Sequence, residues 1–359
     1  MRESVLQRLC CAVCRGSLQS QAYQLTTKGE IERGVAWCTD CRSWYPIEGG
    51  LLELLPPKLA YAEDRKRFWE THQRELRGLG LDAQLGAVGP DTVEAQRKQQ
   101  EHFDWYASND TQTYSAYQQM PFWEAVDAKT IAPWRSQTQP GQWLMEVGCA
   151  QGRSTFQFMD LPLHIVGFDI SKALIRQAIA RYRAKDYCAE ATFFVGDGSC
   201  LPFKAQTIDC VLIYGVLHHL PDPSETCRQL AEVLKPGGMY FGSENNQTVF
   251  RSIFDLCMKL TPLWHEEAGA QPLISAGQLR QWFAGTGVNV ETETHVFVLP
   301  HLVNLFGKRW GARLLNLTDW IGQRIPLLRH NGGLIVIRGQ QDGQAMVKTN
   351  QPVPLARSA

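Results

Sequence analysis

The 359-residue sequence has no net charge of either sign, because 36 Lys and Arg balance 36 Asp and Glu. That balance argues against a strongly basic nucleic-acid binder and against an acidic, solvating chain. No stretch approaches roughly 18 consecutive apolar residues, so no transmembrane helix is expected. The N-terminus lacks the charged, apolar and small-residue succession of a secretory signal, and the 11 cysteines are odd in number. A disulfide scaffold is therefore not expected, and the chain reads as cytoplasmic with free thiols. What remains is ordinary globular material, 44% hydrophobic and 20% charged, long enough for two or three domains.

Five of the cysteines fall in the first 41 residues. Cys11-x2-Cys14 and Cys38-x2-Cys41 are separated by 23 residues that carry a hairpin-like stretch, Leu25 to Val35. Two thiolate knuckles on tight turns supply four soft ligands, the arrangement of a zinc ribbon closed around a structural metal. An iron or redox centre is the alternative, and Cys10 could replace a ligand only by shifting the knuckle spacing. About 60 residues bury too little apolar surface to be secure alone, so the metal would supply folding energy.

Leu9 to Gly16, Trp44 to Leu51 and the closing Leu55-Pro56 resemble the Trm112-like zinc-ribbon family over roughly residues 5–56, with Ala12 where that family usually has proline. The resemblance implies a module that binds or supports a methyltransferase domain.

Residues 58–142 read as a helical linker and lid. A charged helical stretch runs from Lys58 to Arg77, a loop from Gly78 to Pro90, and a second helical stretch from about Thr92 to Tyr106. Phe103, Trp105, Tyr106, Tyr114 and Tyr117 either pack this segment on the next domain or form a lid that keeps water from a reacting site.

From Trp143 short apolar runs alternate with helical periods, which calls for a parallel sheet with helices on both faces. The expected strands are Trp143–Val147, His164–Phe168, Thr192–Val195, Cys210–Tyr214 and Met239–Gly242. Helices are expected near Ser154–Met159, Lys172–Arg183 and Ser224–Leu234. Ligands bind at the carboxyl ends of such strands. The first strand ends in Glu146-Val147-Gly148-Cys149-Ala150-Gln151-Gly152, whose glycines let backbone approach a ligand at a helix start. Asp169, 23 positions after Glu146, stands at the second strand tip, where an acid can hold a ribose diol. Asp197 stands at the third, where it can take an exocyclic amine. Each acid alone reads as a cap or turn residue; their order at three successive tips favours a nucleoside site.

These motifs, with Ile208 to Pro223 and Leu234 to Gly238, resemble the class I S-adenosylmethionine-dependent methyltransferases over about residues 100–340, especially the ubiquinone and menaquinone group. The resemblance implies a Rossmann-like seven-stranded sheet and S-adenosylmethionine as cofactor. It implies cofactor contacts from Glu146, Gly148, Ala150, Gly152, Asp169, Ile170, Asp197, Gly198 and Tyr214. Ala150 stands where the family usually has glycine. His218 and His219 would lie near the transferred methyl, with His219 the candidate general base for a hydroxyl acceptor and a buried turn histidine the alternative.

The resulting division is a ribbon over 1–57, linker and lid over 58–142, a methyltransferase domain over 143–340 with a substrate-side insertion at 246–275, and a disordered tail over 341–359. Ile274 to Val288 resembles the late helix and strand entry of those methyltransferases, and Leu334–Ile337 a last, antiparallel strand. His265-Glu266-Glu267 in the insertion is either acceptor-facing or an exposed loop. Residues 302–329 carry Leu, Phe, Trp and Ile at near-helical spacing among Lys308, Arg309, Arg313, Arg324 and Arg329. That composition suits a membrane surface, an apolar opening, or a helical cap buried on the domain. Residues 301–359 hold eight Lys or Arg against two Asp or Glu, so the overall neutrality is a cancellation.

The expected activity is methyl transfer to a small or lipid-like acceptor, at oxygen. An rRNA or tRNA base methyltransferase is the competing enzyme reading, but seven Lys or Arg against six Asp or Glu in residues 1–60 give the ribbon no phosphate-tracking surface. A partner-binding scaffold is the non-enzymatic alternative, and the sequence is silent on oligomeric state.

Overall fold

The computed structural model describes residues 1–83, 93–109, 119–263 and 273–342. Tyr114, Tyr117, His265 to Glu267 and nearly all of the expected tail lie outside the described residues.

The N-terminal unit opens with a short helix α1 (Glu3–Leu6) and four strands, β1 (Leu18–Leu25), β2 (Ile31–Cys38), β3 (Trp44–Glu48) and β4 (Leu51–Leu54), paired antiparallel in sequence. Two helices follow, α2 (Ala62–Gly78) and α3 (Glu94–Asn109), then α4 (Pro121–Arg135). The large domain contains β5 (Trp143–Val147), β6 (His164–Asp169), α5 (Lys172–Arg183), β7 (Glu190–Gly196), β8 (Ile208–Tyr214), α6 (Pro223–Val233) and β9 (Leu234–Asn245). It is completed by α7 (Arg251–Leu260), α8 (Ala276–Phe283), β10 (Val288–His295), α9 (Pro300–Arg324) and β11 (Leu334–Gln341). The first motif enters only a short 3-10 turn, Thr155–Phe158, where a helix was expected.

Strands β5 to β9 pair in parallel, whereas β11 and β10 are antiparallel. The order is β7-β6-β5-β8-β9-β11-β10, with β5 between strands reached by connections running in opposite directions. A crevice opens at such a switch point beyond the strand ends. Val147, Val166, Phe168, Phe194, Val211 and Ile213 are buried because helices cover both faces.

The ribbon adds to this sheet rather than merely resting beside it. β4 pairs in parallel with β7, Glu53 opposite Val195 and Leu54 opposite Gly196, so that one sheet of 11 strands runs through both units. The pairing removes the exposed edge of β7. A buried polar seam accompanies it: Lys172 Nζ lies 2.8 Å from Glu53 of β4 and 2.7 Å from Asp64 of α2. Arg65, fully buried, donates to the Trp44 carbonyl at 2.7 Å. Among the described residues no helix is long and apolar enough to cross a membrane.

Candidate active site

The loop after β5 turns through left-handed backbone. Gly148 and Gly152 have φ of 66° and 88°. A Cβ would come within 2.5 Å of the Val216 side chain at Gly148 and of the Phe156 ring at Gly152. Ala150, between them, has φ of 48°, a conformation that costs a Cβ-bearing residue about 1–2 kcal/mol. Ala150→Gly is expected to raise stability by up to about 1 kcal/mol after the added freedom of the unfolded chain is subtracted. A lower melting temperature for that variant would show that the methyl group is packed to advantage.

Two backbone N–H groups, of Ala150 and Ser171, donate to the Asp169 carboxylate, each at 2.9 Å. Burial nevertheless pushes Asp169 up to about 6. At the tip of β7, Asp197 accepts from the Ser199 N–H at 2.9 Å and the Ser199 hydroxyl at 2.6 Å, and burial raises its pKa as well.

A cavity of about 990 Å³ joins these strand ends, and Gly148, Ala150, Asp169, Ile170, Asp197, Gly198 and Tyr214 are among its walls. Glu146 and Gly152 are not. Glu146 lies buried beneath the loop and accepts the hydroxyls of Ser154 and Thr155. It thus braces the turn from below.

Burial also pushes Glu146 up from 4.5 to about 7. The folded protein therefore holds this proton more firmly than the unfolded chain, and the associated stability, complete below the ordinary carboxylate range, is lost as pH rises through about 7. Glu146→Gln should flatten the fall in melting temperature between about pH 5 and 8, a difference of up to about 3 kcal/mol. Parallel curves for the two proteins would remove the assignment.

The adjacent histidines have different surroundings. His218 is buried, with Nδ1 2.6 Å from Glu244 Oε2, while Glu244 Oε1 accepts the N–H groups of Val216 and Leu217 at 3.0 and 2.8 Å. A carboxylate on Nδ1 selects the tautomer protonated there and leaves Nε2 able to accept a proton. His219 stacks edge-on to Phe103 of α3, ring centres 5.7 Å apart. Both rings line the cavity, as do Phe103 and Tyr106, whereas Trp105 is exposed.

Three acids and a cation were not singled out in the sequence. Glu244 lies near the end of β9, 26 positions after His218, and only the sheet brings it to that imidazole. Asp127 of α4 binds Arg153 at 3.0 Å and the Tyr214 hydroxyl at 3.1 Å, with Arg153 on the cavity wall. Asp104 of α3 accepts from the Tyr61 and Ser171 hydroxyls, both at 2.6 Å, tying the second helix of the linker to the start of α5. An acid following a β-strand run was the available signal for Glu244; Asp104 and Asp127 carried none.

In the ribbon, the Sγ atoms of Cys11, Cys14, Cys38 and Cys41 all lie within 4.8 Å of one another. The Cys11–Cys41 and Cys14–Cys38 sulfurs are 3.5 and 3.4 Å apart. A tetrahedral metal with sulfur bonds of about 2.3 Å separates its ligands by roughly 3.8 Å, so this set fits a metal ion. Each knuckle turns at the residue immediately after its second cysteine, Arg15 after Cys14 and Arg42 after Cys41, with φ of 61° and 63°. Cys10 stands apart, its N–H donating to the Pro202 carbonyl at 2.9 Å. The Arg15 guanidinium reaches the carbonyls of Leu201 and Phe203, so the ribbon grips the segment that follows Asp197.

Sheet order and strand-end acids together define a Rossmann-like domain of the methyltransferase type, fused to a four-cysteine ribbon. Residues 145–242 match the family model described as methyltransferase domain, and residues 2–50 the model described as Trm112p-like protein. The chain thus carries a methyltransferase domain and a Trm112p-like domain.

It is similar to the demethylmenaquinone methyltransferase of Renibacterium salmoninarum, 25% identical over 150 residues that cover 40% of this chain and 61% of that protein. The chain therefore spans about three-fifths of that relative's length. A ubiquinone biosynthesis O-methyltransferase of Coxiella burnetii is 26% identical over 45% of this chain and 70% of its own. A chain from a complex containing the Haloferax volcanii Trm112 methyltransferase activator superposes with a TM-score of 0.47 at 18% identity, over 67% of this chain and 97% of that one.

Proposed function

We propose that the chain is an S-adenosylmethionine-dependent methyltransferase acting on an oxygen of a small, apolar or lipid-like acceptor. Residues 143–340 are its catalytic domain and residues 1–57 a zinc ribbon that supports it in cis. The observation that carries this reading is the continuity of one cavity from the Asp169 and Asp197 carboxylates to the His218–Glu244 pair.

The residues present fit the cofactor. Asp169 retains lone pairs for a ribose diol, Asp197 for an exocyclic amine, and the Gly148–Ala150 turn together with Arg153 favours an amino-acid carboxylate. When bound, S-adenosylmethionine supplies an electrophilic methyl group on a good leaving group. The protein's own part is then alignment, exclusion of water and removal of the acceptor's proton. Phe103 and Tyr106 cover the cofactor side, and His218 Nε2, with Nδ1 held by Glu244, is the proton acceptor. Phe254, Met258 and Val298 line the remoter part of the cavity, and their apolar character supports an apolar acceptor. Zinc suits the ribbon because four thiolates close its coordination sphere and leave no open position for chemistry.

Titration calorimetry with S-adenosylmethionine, followed by radiolabel transfer into extracted lipids, polar metabolites and RNA, tests this. Saturable binding with label in the small-molecule or lipid fraction is expected. Label in RNA alone would overturn the acceptor class, and absence of binding would overturn the enzyme.

A further inference from the structure

Helix α9 carries two apolar stripes. Val303, Gly311, Leu315, Asp319 and Gly322 are buried: Val303 and Leu315 pack with the apolar residues of α4, Gly311 packs on Val303 across a break in the helix at Gly307, and Asp319 pairs with Lys129 at 2.9 Å. The opposite side is unusual, because it too is apolar. Leu317 follows Trp310 by seven residues, and Trp320 and Ile321 follow Leu317 by three and four, so all four share one side of the helix; Trp310 and Trp320 are 61% and 54% exposed. A second helix, α7, exposes Ile253, Leu256 and Leu260, and its Ile253 lines the same cavity as Ile321 of α9. The ends of the two helices meet where His301 Nε2 lies 2.7 Å from the Thr261 carbonyl. Single exposed apolar residues need no explanation; several along each of two helices that border one cavity do.

The charge around this face selects its partner. Residues 300–329 contain five Lys or Arg and one acid, Asp319, which is buried. Arg313 lies over the Trp310 ring at 4.7 Å and Arg324 over the Trp320 ring at 4.3 Å. Indoles beside guanidinium groups are suited to the depth where acyl chains meet headgroups, since the ring is amphipathic and the long cationic side chain can reach back to phosphate. Neither helix is long and apolar enough to cross a bilayer. The composition is that of helices lying in an anionic lipid surface.

The cavity reaches the same face. Phe250, Ile253 and Ile321 both line it and are exposed outside. We propose that α7 and α9 form a docking face for an anionic bilayer and that the apolar end of the cavity opens onto it, admitting a membrane-resident acceptor. The second half of this proposal rests on the methyl-transfer reading; the docking half does not.

The test is flotation of the full chain with phosphatidylcholine vesicles, with and without phosphatidylglycerol. Binding that requires the anionic lipid and weakens with salt is expected. Arg309→Gln and Arg313→Gln should each weaken it about fivefold. The double variant Trp310→Glu/Trp320→Glu should weaken it by more than about tenfold while S-adenosylmethionine affinity, read by calorimetry, is unchanged. Vesicle binding without cofactor binding would sustain the docking face and sink the methyl-transfer reading. No binding to either vesicle, or equal binding by the double variant, overturns the docking face. So does a dimer in sedimentation velocity that the double variant dissociates in the absence of vesicle binding, since a second copy would then be the occupant.

Discussion

Replacing His218 by alanine is expected to slow methyl transfer to a hydroxyl acceptor by about 10²- to 10⁴-fold, the usual worth of a positioned general base. Affinity for S-adenosylmethionine should stay within a few fold, because Asp169 and Asp197, the acids proposed for the ribose and the adenine, are held by Ala150, Ser171 and Ser199. Glu244→Gln should give a smaller loss and move the pH-rate profile, since an amide can no longer favour the Nδ1–H tautomer or stabilise the imidazolium formed after proton uptake. His219→Ala should act mainly on cofactor binding, through its packing on Phe103. Single-turnover rates across pH for the three variants distinguish these roles. Full turnover by His218→Ala with loss in His219→Ala would move the base to His219.

Loss of the zinc proposed for the four ribbon cysteines has the next largest expected effect. A structural zinc site contributes an apparent binding free energy on the order of 10 kcal/mol, comparable with the whole stability of an ordinary domain. Cys14→Ser is the informative substitution because Cys14 is exposed, so that little but coordination is lost. Elemental analysis should show about one zinc per chain in the native protein and far less in the variant. Chelation should lower the melting temperature and also weaken cofactor binding. The second effect follows from the contacts of Arg15 and Cys10 with Leu201, Pro202 and Phe203, and from β4 at the edge of β7, whose tip holds Asp197. A chelated protein that keeps its fold and its cofactor affinity would show that the four thiolates hold no essential metal.

Much of this organisation was legible in the sequence. The strands from Trp143 to Gly242 were visible because a parallel strand covered on both faces must be a short apolar run, and α5 was visible from its helical period. Asp169 and Asp197 could be placed because a strand tip is where such a run stops. The cysteine knuckles could be read because metal coordination fixes ligand type and spacing over a few residues. In each case the determining chemistry is local.

Tertiary structure decided what depends on partners far away in the chain. Glu244 meets His218 only because β8 and β9 are neighbours, so the sequence could not separate two adjacent histidines. Glu146 turned out to brace the loop instead of facing the cavity, because Ser154 and Thr155 fold back over it. The ribbon joined the main sheet through β4 and β7, an edge-to-edge choice that no pattern within either strand encodes. The segment 302–329 was expected as a buried cap, an opening or a membrane surface, and packing on α4 divided it into a buried stripe and an exposed one. Local sequence fixes the preferences of a strand, turn or ligand set, but pairing and exposure are settled only when distant surfaces compete for the same contacts.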